Sequence, residues 1–463
     1  MVVGGYRPGG RAGHSFLMAQ RLAIIGGDAG GMSAAASARR RDPDLDIVAF
    51  ERGAYTSYSA CGIPYVVGGV VEDAGRLISR SPEQHRERGI DARTGAEVVA
   101  IDLAARELTV RSATGESREP FDQLVVATGA EPVLPDVPGA DAIEPARTVD
   151  AAERLRAAIE GGGGCAVVIG AGYIGLEMAE AFAGSGLNVT MIDLAPQVMG
   201  TLDADMARHV QDAAEAQGIR VVLEAGVEEI ETRDDGTPVC VRAGGESYPA
   251  DHVVIGTGAA PAVAVARAAG LQLGDSGALR VDDHQRCPGH DGVYAAGDCA
   301  ESHHRILDRA VNIQLGTHAN KQGRIAGANA TGADLRFPGV IGTAVSKICK
   351  WEVARTGIGE REAQKAGIAV VSAKIEDRTR AGYYPGSGPI WVKLVAEPGS
   401  GRLLGGQIVG VEGAAKRIDV LATAIWAGLA VDEFALLDLS YAPPFSGVYD
   451  PLLIAARATA KLA

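Results

Sequence analysis

Two stretches of this chain each run from an apolar strand through a Gly-rich turn into the start of a helix, and they lie 144 residues apart, from Gly26 to Gly170. The first is Leu22-Ala-Ile-Ile-Gly26-Gly-Asp-Ala-Gly30-Gly31-Met, with a second apolar strand, Asp46-Ile-Val-Ala-Phe, ending in Glu51. The other is Ala166-Val-Val-Ile-Gly170-Ala-Gly172-Tyr-Ile-Gly175, followed by Val189-Thr-Met-Ile-Asp193. Such a turn lets a pyrophosphate approach the backbone at a helix N-terminus, where free N–H groups and the helix dipole favour anions. The acid closing the next strand accepts from an adenosine ribose. One match is weak evidence. Two in order, each with strand, helix and acid, predict two dinucleotides on one α/β chain.

At 463 residues the chain exceeds one ordinary core, and about two to four domains are expected. A third apolar strand, Phe121-Asp-Gln-Leu-Val-Val-Ala-Thr128-Gly129, is echoed by Asp251-His-Val-Val-Ile-Gly256-Thr-Gly258. The echo is an internal repeat, two like units with the second inserted in the first. The strand Gly292-Val-Tyr-Ala-Ala-Gly297-Asp298 marks the return to the first unit. The expected division is a flexible extension over 1–20, one dinucleotide unit over 21–140 and 262–340, and the other over 141–261. An α+β interface domain follows over 341–463, with strands at Pro389 and Leu403 and a helix over Ala414–Leu429. A further helix is expected from Val149 to about Ile159. Met18 is an alternative start.

A net charge of −14 argues against nucleic acid or an anionic membrane as partner, and no apolar run is long enough to span a bilayer. The six cysteines form no CxxC pair, which predicts a thiol-reduced, cytoplasmic protein. No lysine precedes Lys321, so the first two units must take their cations from Arg or His. His303-His304 lacks a carboxylate at ligand spacing and reads as surface loop, and no metal is expected.

One cysteine stands apart. Cys61 lies in Ser57-Tyr-Ser-Ala-Cys61-Gly-Ile-Pro64-Tyr, at an expected helix N-terminus, where the dipole stabilises a thiolate. Lone cysteines are more often small buried hydrophobes, and the other five are read that way. With Asp298, Asn320-Lys-Gln-Gly-Arg324, Tyr383-Tyr-Pro-Gly and Asp438-Leu-Ser-Tyr441-Ala-Pro-Pro-Phe, the segment resembles the single-cysteine branch of the FAD- and pyridine-nucleotide-dependent disulfide reductases. That branch includes coenzyme A-disulfide reductases, persulfide reductases, NADH oxidases and NADH peroxidases.

The resemblance implies FAD on the first unit, held by Gly26, Ala29, Gly30, Gly31, Glu51, Arg52, Ser57, Thr128, Gly129 and Asp298. It implies a nicotinamide dinucleotide on the second, held by Gly170, Gly172, Tyr173, Ile174, Gly175, Asp193 and Gly258. NADH is favoured, with NADPH admissible, because Asp193 would repel a 2′-phosphate and Leu194 offers no cation. Cys61 would carry the chemistry, with Tyr441 and Tyr383 as proton donors. Ser33, Ser37, Arg40, Ser57, Asn320 and Tyr449 would contact a small-molecule disulfide or persulfide. A homodimer would complete each site from two chains.

Departures narrow the reading. Dithiol relatives carry a second cysteine where this chain has Val66, so oxidised Cys61 must be a mixed disulfide, persulfide or sulfenate. Oxidase and peroxidase relatives carry a histidine where Ala29 stands, which disfavours oxygen chemistry. Ala60 replaces a frequent Asn, and Tyr449 a frequent phosphate-binding Lys. Reduction of coenzyme A disulfide or a related disulfide or persulfide leads. The alternatives are an NADH oxidase and a ferredoxin-type electron donor. Asp28 beside a pyrophosphate is expected to turn away from it.

Overall fold

The computed structural model describes residues 20–463. The extension over 1–20 and the start at Met18 lie, Gln20 apart, outside the described residues. The chain has an α/β fold with two Rossmann-type sheets and a C-terminal antiparallel sheet. In the first sheet the parallel order is Val293–Ala295, Gln123–Val126, Arg21–Ile25, Asp46–Phe50 and Asp91–Arg93. The second is also parallel, in the order Arg220–Val222, Asn188–Ile192, Cys165–Ile169, His252–Ile255 and Glu144–Pro145. Both bury their central strands on two faces, which is why these segments read as unbroken Val, Ile, Leu and Ala. Val293–Ala295 pairs with Gln123–Val126, so the chain leaves the first sheet, builds the second and returns.

Two short strands, Ala130–Pro132 and Ala259–Pro261, carry the chain out and back and pair antiparallel with each other. Thr128 Oγ1 ties the same crossing by donating to the Ala262 carbonyl at 2.6 Å. The helix expected near Val149 spans Val149–Ile159, with the Thr148 side chain accepting at its start. The C-terminal sheet runs Ala344–Ile348, Trp351–Gly357, Leu403–Gly410, Pro389–Ala396 and Val371–Arg378. Its covering helix ends at Ala427, two residues early, because Gly428 turns left-handed at φ +76° and stops it.

What positions the site is a backbone-to-backbone contact between helices Ala29–Arg41 and Gly316–Ala330. A Cβ at Gly323 would overlap the Gly30 carbonyl, and one at Gly327 the Ala34 carbonyl. Glycine at both places lets the helices close up, and Asn320 and Arg324 come to stand beside Ser33 and Arg40.

His304 corrects an expectation. It is buried at the end of the strand Ser302–His304, and its Nδ1 accepts from the N–H groups of Ile306 and Leu307. The surface loop was half right, since His303 is the exposed partner.

Candidate active site

The two dinucleotide turns are built alike. Glu51 Oε2 accepts from Gly27 N at 2.8 Å and Oε1 from Gly53 N at 2.7 Å. Asp193 repeats this with Ala171 N at 2.6 Å and Ala195 N at 2.7 Å. Each acid thus knots its own Gly-rich turn to the following strand and keeps lone pairs for a ribose. Gly26 and Gly170 hold φ of +110° and +104°. A Cβ on Gly31 would strike the Gly26 carbonyl, and one on Gly175 the Gly170 carbonyl. No side chain caps helix Ala29–Arg41 or helix Tyr173–Gly184, which leaves first-turn N–H groups free for an anion. Both turns therefore fit a dinucleotide pyrophosphate. Gly172 stands as N-cap of the second helix, with Tyr173 behind it and Ile174 and Leu194 exposed beside the turn. Gly129 and Gly258 hold φ of +71° and +99° at the two ends of the crossover, and Arg52 pairs with Glu131.

Asp298 follows the strand Val293–Ala295. Its carbonyl accepts from Asn312 Nδ2 at 2.8 Å, and its carboxylate lies 3.9 Å from the Arg147 guanidinium. Burial pushes this carboxyl up, and Arg147 opposes the rise. Arg147 was not anticipated.

Cys61 is the exposed cysteine of the six. It sits in a single turn, Ala60–Gly62, that runs straight into the helix Ile63–Val67, so the expected helix start is present. Ile63, Val66 and Val67 pack with Leu155, Leu176 and Phe182 of the second unit, which places the thiol at the seam between units. Desolvation pushes the Cys61 thiol up, Glu177 pushes it further, and Asp298 and Asp28 add to the rise against the pull of its own backbone N–H. Of the other cysteines, Cys287, Cys299 and Cys349 are buried and Cys165 and Cys240 half-buried.

A cavity of about 400 Å³ opens beside this turn. Met32, Ser33, Ala36 and Arg40 line it from the first helix, Ser57, Tyr58 and Ser59 from the turn, Ser79 and Arg80 from the next loop, and Asn320 and Arg324 from the second helix. Four expected substrate residues, Ser33, Arg40, Ser57 and Asn320, are brought together here, and Ser33 Oγ donates to Asn320 Oδ1 at 2.7 Å. Arg39, by contrast, spends its guanidinium on the carbonyls of Pro43, Leu45 and Gly89.

Ser37 is not part of the cavity. It is buried, at the edge of the stripe formed by lining positions 29, 33, 36 and 40 and about 40° round the helix from Ser33. Tyr449 also lies elsewhere, on the exposed face of the C-terminal domain with Arg457 over its ring. Tyr383 and Tyr441 are also exposed, and a hydrogen bond with Tyr441 holds the Tyr383 phenol above its ordinary value. Neither phenol is among the groups acting on the Cys61 thiol.

Asp28 lines the cavity with Ala29 and Ser57, and burial first, then Glu51, pushes its carboxyl up to about 6 against the N–H groups of Ala29 and Tyr58. Sequence reasoning also missed Arg80, Arg324 and Glu177. Arg40 was the cavity cation expected, Arg324 entered only within a resembling segment, and the lack of lysine before Lys321 gave the one hint for Arg80. Among the described residues, no three His, Cys, Asp or Glu side chains gather as a metal site, and no helix is long and apolar enough to cross a membrane.

Comparison with known proteins agrees with this geometry. Residues 20–323 match the family model described as pyridine nucleotide-disulphide oxidoreductase, and residues 343–451 match the dimerisation domain of the same family. The chain is 38% identical to the NAD(P)H sulfur oxidoreductase (CoA-dependent) of Pyrococcus abyssi, over 94% of this chain and 97% of that one. It is 36% identical to a protein named NADH oxidase from Methanocaldococcus jannaschii, over 95% of this chain and 99% of the other. The solved structure of an NAD-dependent persulfide reductase from A. fulgidus superposes with a TM-score of 0.92 at 38% identity, covering 96% of this chain and 83% of that one. The chain belongs to the pyridine nucleotide-disulfide oxidoreductase family and is an NAD(P)H-dependent oxidoreductase that uses FAD.

Proposed function

We propose that the chain reduces coenzyme A disulfide, or a related low-molecular-weight disulfide or persulfide, through Cys61 at the expense of NADH. The observation that carries this is the cavity beside the Cys61 turn, which gathers three arginines, Arg40, Arg80 and Arg324, with the polar side chains of Ser33, Ser57 and Asn320. A thiol carrying several phosphates matches that lining. The names of the Pyrococcus and A. fulgidus relatives point to the same class.

On this reading Cys61 attacks one sulfur of the substrate, a Cys61–substrate disulfide forms, and the substrate S–S bond breaks. The departing thiolate takes a proton from Tyr441 of the second chain of a homodimer, with Tyr383 hydrogen-bonded behind it. The chemistry supplied by bound FAD and NADH is the electron pair that reopens the mixed disulfide, so that one disulfide, one NADH and one proton give two thiols. Desolvation first and Glu177 second push the resting Cys61 thiol up, and the proton it gives up on attack balances the one that Tyr441 donates to the departing thiol. Ala29 leaves the Gly-rich turn without a titrating side chain at the place where oxidase relatives carry histidine.

Dimers of mixed variants test the whole scheme. Cys61→Ser should keep bleaching of the flavin absorbance by NADH and lose disulfide turnover to below about 1%, while Tyr441→Phe should cut kcat by roughly 10²-fold. A mixed dimer holds one site with both defects and one with neither, so activity should recover toward half of wild type. No recovery despite heterodimer formation would reject the shared site. A Cys61→Ser enzyme that still reduces the disulfide would reject the cysteine mechanism, and NADH-driven oxygen uptake exceeding coenzyme A disulfide turnover would favour an oxidase.

A further inference from the structure

His85 is 1% exposed, and its one side-chain partner is the hydroxyl of Ser57, 3.0 Å from Nε2. Its other ring nitrogen, Nδ1, is buried with no hydrogen-bond partner among the described residues. A polar ring is costly to bury, and here the burial serves a single hydrogen bond. The ring is firmly held. It belongs to the helix Pro82–Arg86, which opens with proline at its first position and a reciprocal Ser81–Gln84 capping box.

Ser57 is held as tightly. Its φ is +50°, a left-handed value few non-glycine residues adopt. The conformation is clamped by Ser57 N donating to the Gly27 carbonyl at 3.0 Å and Ser79 N donating to the Ser57 carbonyl at 2.8 Å. Ser57 therefore faces His85 on one side and the arginine-lined cavity on the other, with little freedom to turn away.

The tautomer follows from the unpartnered nitrogen. A proton on Nδ1 would leave a buried N–H donor unmet. A proton on Nε2 leaves only a lone pair unmet and lets the ring donate to Ser57 Oγ. We propose that His85 is a positioning residue that donates from Nε2 to Ser57 Oγ, so that the Ser57 hydroxyl must spend its own proton on an anionic, phosphate-bearing part of the substrate in the cavity. The inference rests on the reading of this cavity as the substrate site. Burial, with Arg80 and Arg88 nearby, pushes the imidazole down to about 4, so the ring stays neutral at working pH and the donor direction does not switch.

Two measurements on the FAD-loaded enzyme test it. With 15N-histidine label, the ring signals that vanish in His85→Phe should show the neutral Nε2–H form at pH 6 to 8. The Nδ1–H form or an imidazolium overturns the inference whatever the substrate is. By calorimetry, coenzyme A should bind His85→Phe roughly tenfold more weakly, the effect of one hydrogen bond to a charged group. His85→Gln, whose amide N–H reaches the same place, should restore binding. In a Ser57→Ala background, His85→Phe should add nothing. Equal coenzyme A affinity in His85→Phe and wild type, or an undiminished effect in the Ser57→Ala background, overturns the inference. If wild type takes up no coenzyme A, the substrate assignment falls, and the tautomer still decides the role of His85.

Discussion

Asp28 occupies a position where a carboxylate costs stability, and removing its charge should make the protein more stable. Its carboxyl is pushed from 3.8 to about 6, by burial first and by Glu51 second, with Asp298 adding a little. About two pKa units correspond to roughly 3 kcal/mol between the two protonation states. The N–H groups of Ala29 and Tyr58 favour the charged form, and an asparagine keeps only part of that benefit, so Asp28→Asn should gain about 1–2 kcal/mol. The sign sets the pH window. The folded pKa lies above the unfolded one, so the wild type is favoured below about pH 4 and loses stability as pH rises through about 6. The asparagine variant loses nothing over that interval. Scanning calorimetry should therefore find the two melting together near pH 4, with the variant ahead by a few degrees at pH 8. The gain should shrink in a Glu51→Gln background, because Glu51 supplies the second-largest push. A variant that melts below wild type at pH 8, or an advantage independent of pH, would refute the electrostatic account and leave Asp28 as a stabilising acceptor for its two N–H groups.

Gly26→Ala should lower the flavin carried per chain, because a methyl there overlaps the Ala127 carbonyl and must be held at φ +110°; full flavin content in the purified variant would show that the turn can relax. NADH should be preferred over NADPH in kcat/KM, and Asp193→Ala combined with Leu194→Arg should reverse the ratio, since Leu194 is 75% exposed beside the acid. An NADPH preference in wild type would disprove the assignment. Lys393 is 3% exposed and lies within 3.2 Å of carboxylates from Asp203, Asp205 and Glu360, so it ties the second unit to the C-terminal sheet. Lys393→Met should cost about 3–5 kcal/mol by leaving buried Asp203 unpaired, a loss read as a lowered Tm.

The parts of this site that could be read from sequence are those whose reason is local. Gly26, Gly31, Gly170 and Gly175 are required by backbone angles and carbonyl contacts inside one strand–turn–helix unit, and Glu51 and Asp193 answer N–H groups of the same units. The cavity has no such local reason. Arg80 and Arg324 meet only because Gly323 and Gly327 let two distant helices touch, and nothing near residue 80 announces that contact. Ser37 shares the helix face of Ser33 and Arg40, one turn from each, and what keeps it out of the cavity is burial under neighbouring elements, which a helical pattern does not show. The Cys61 thiol shows the same division. Its turn and helix start are written between residues 57 and 67, and the dipole argument drawn from them points to a lowered pKa. Burial at the seam first, and then the Glu177 carboxylate from a helix of the other unit, push it the opposite way, so the direction of the shift is a tertiary property. Motifs in this chain state which atoms must meet a dinucleotide. The direction in which the Cys61 thiol is pushed depends on its burial at the seam and on carboxylates from both units.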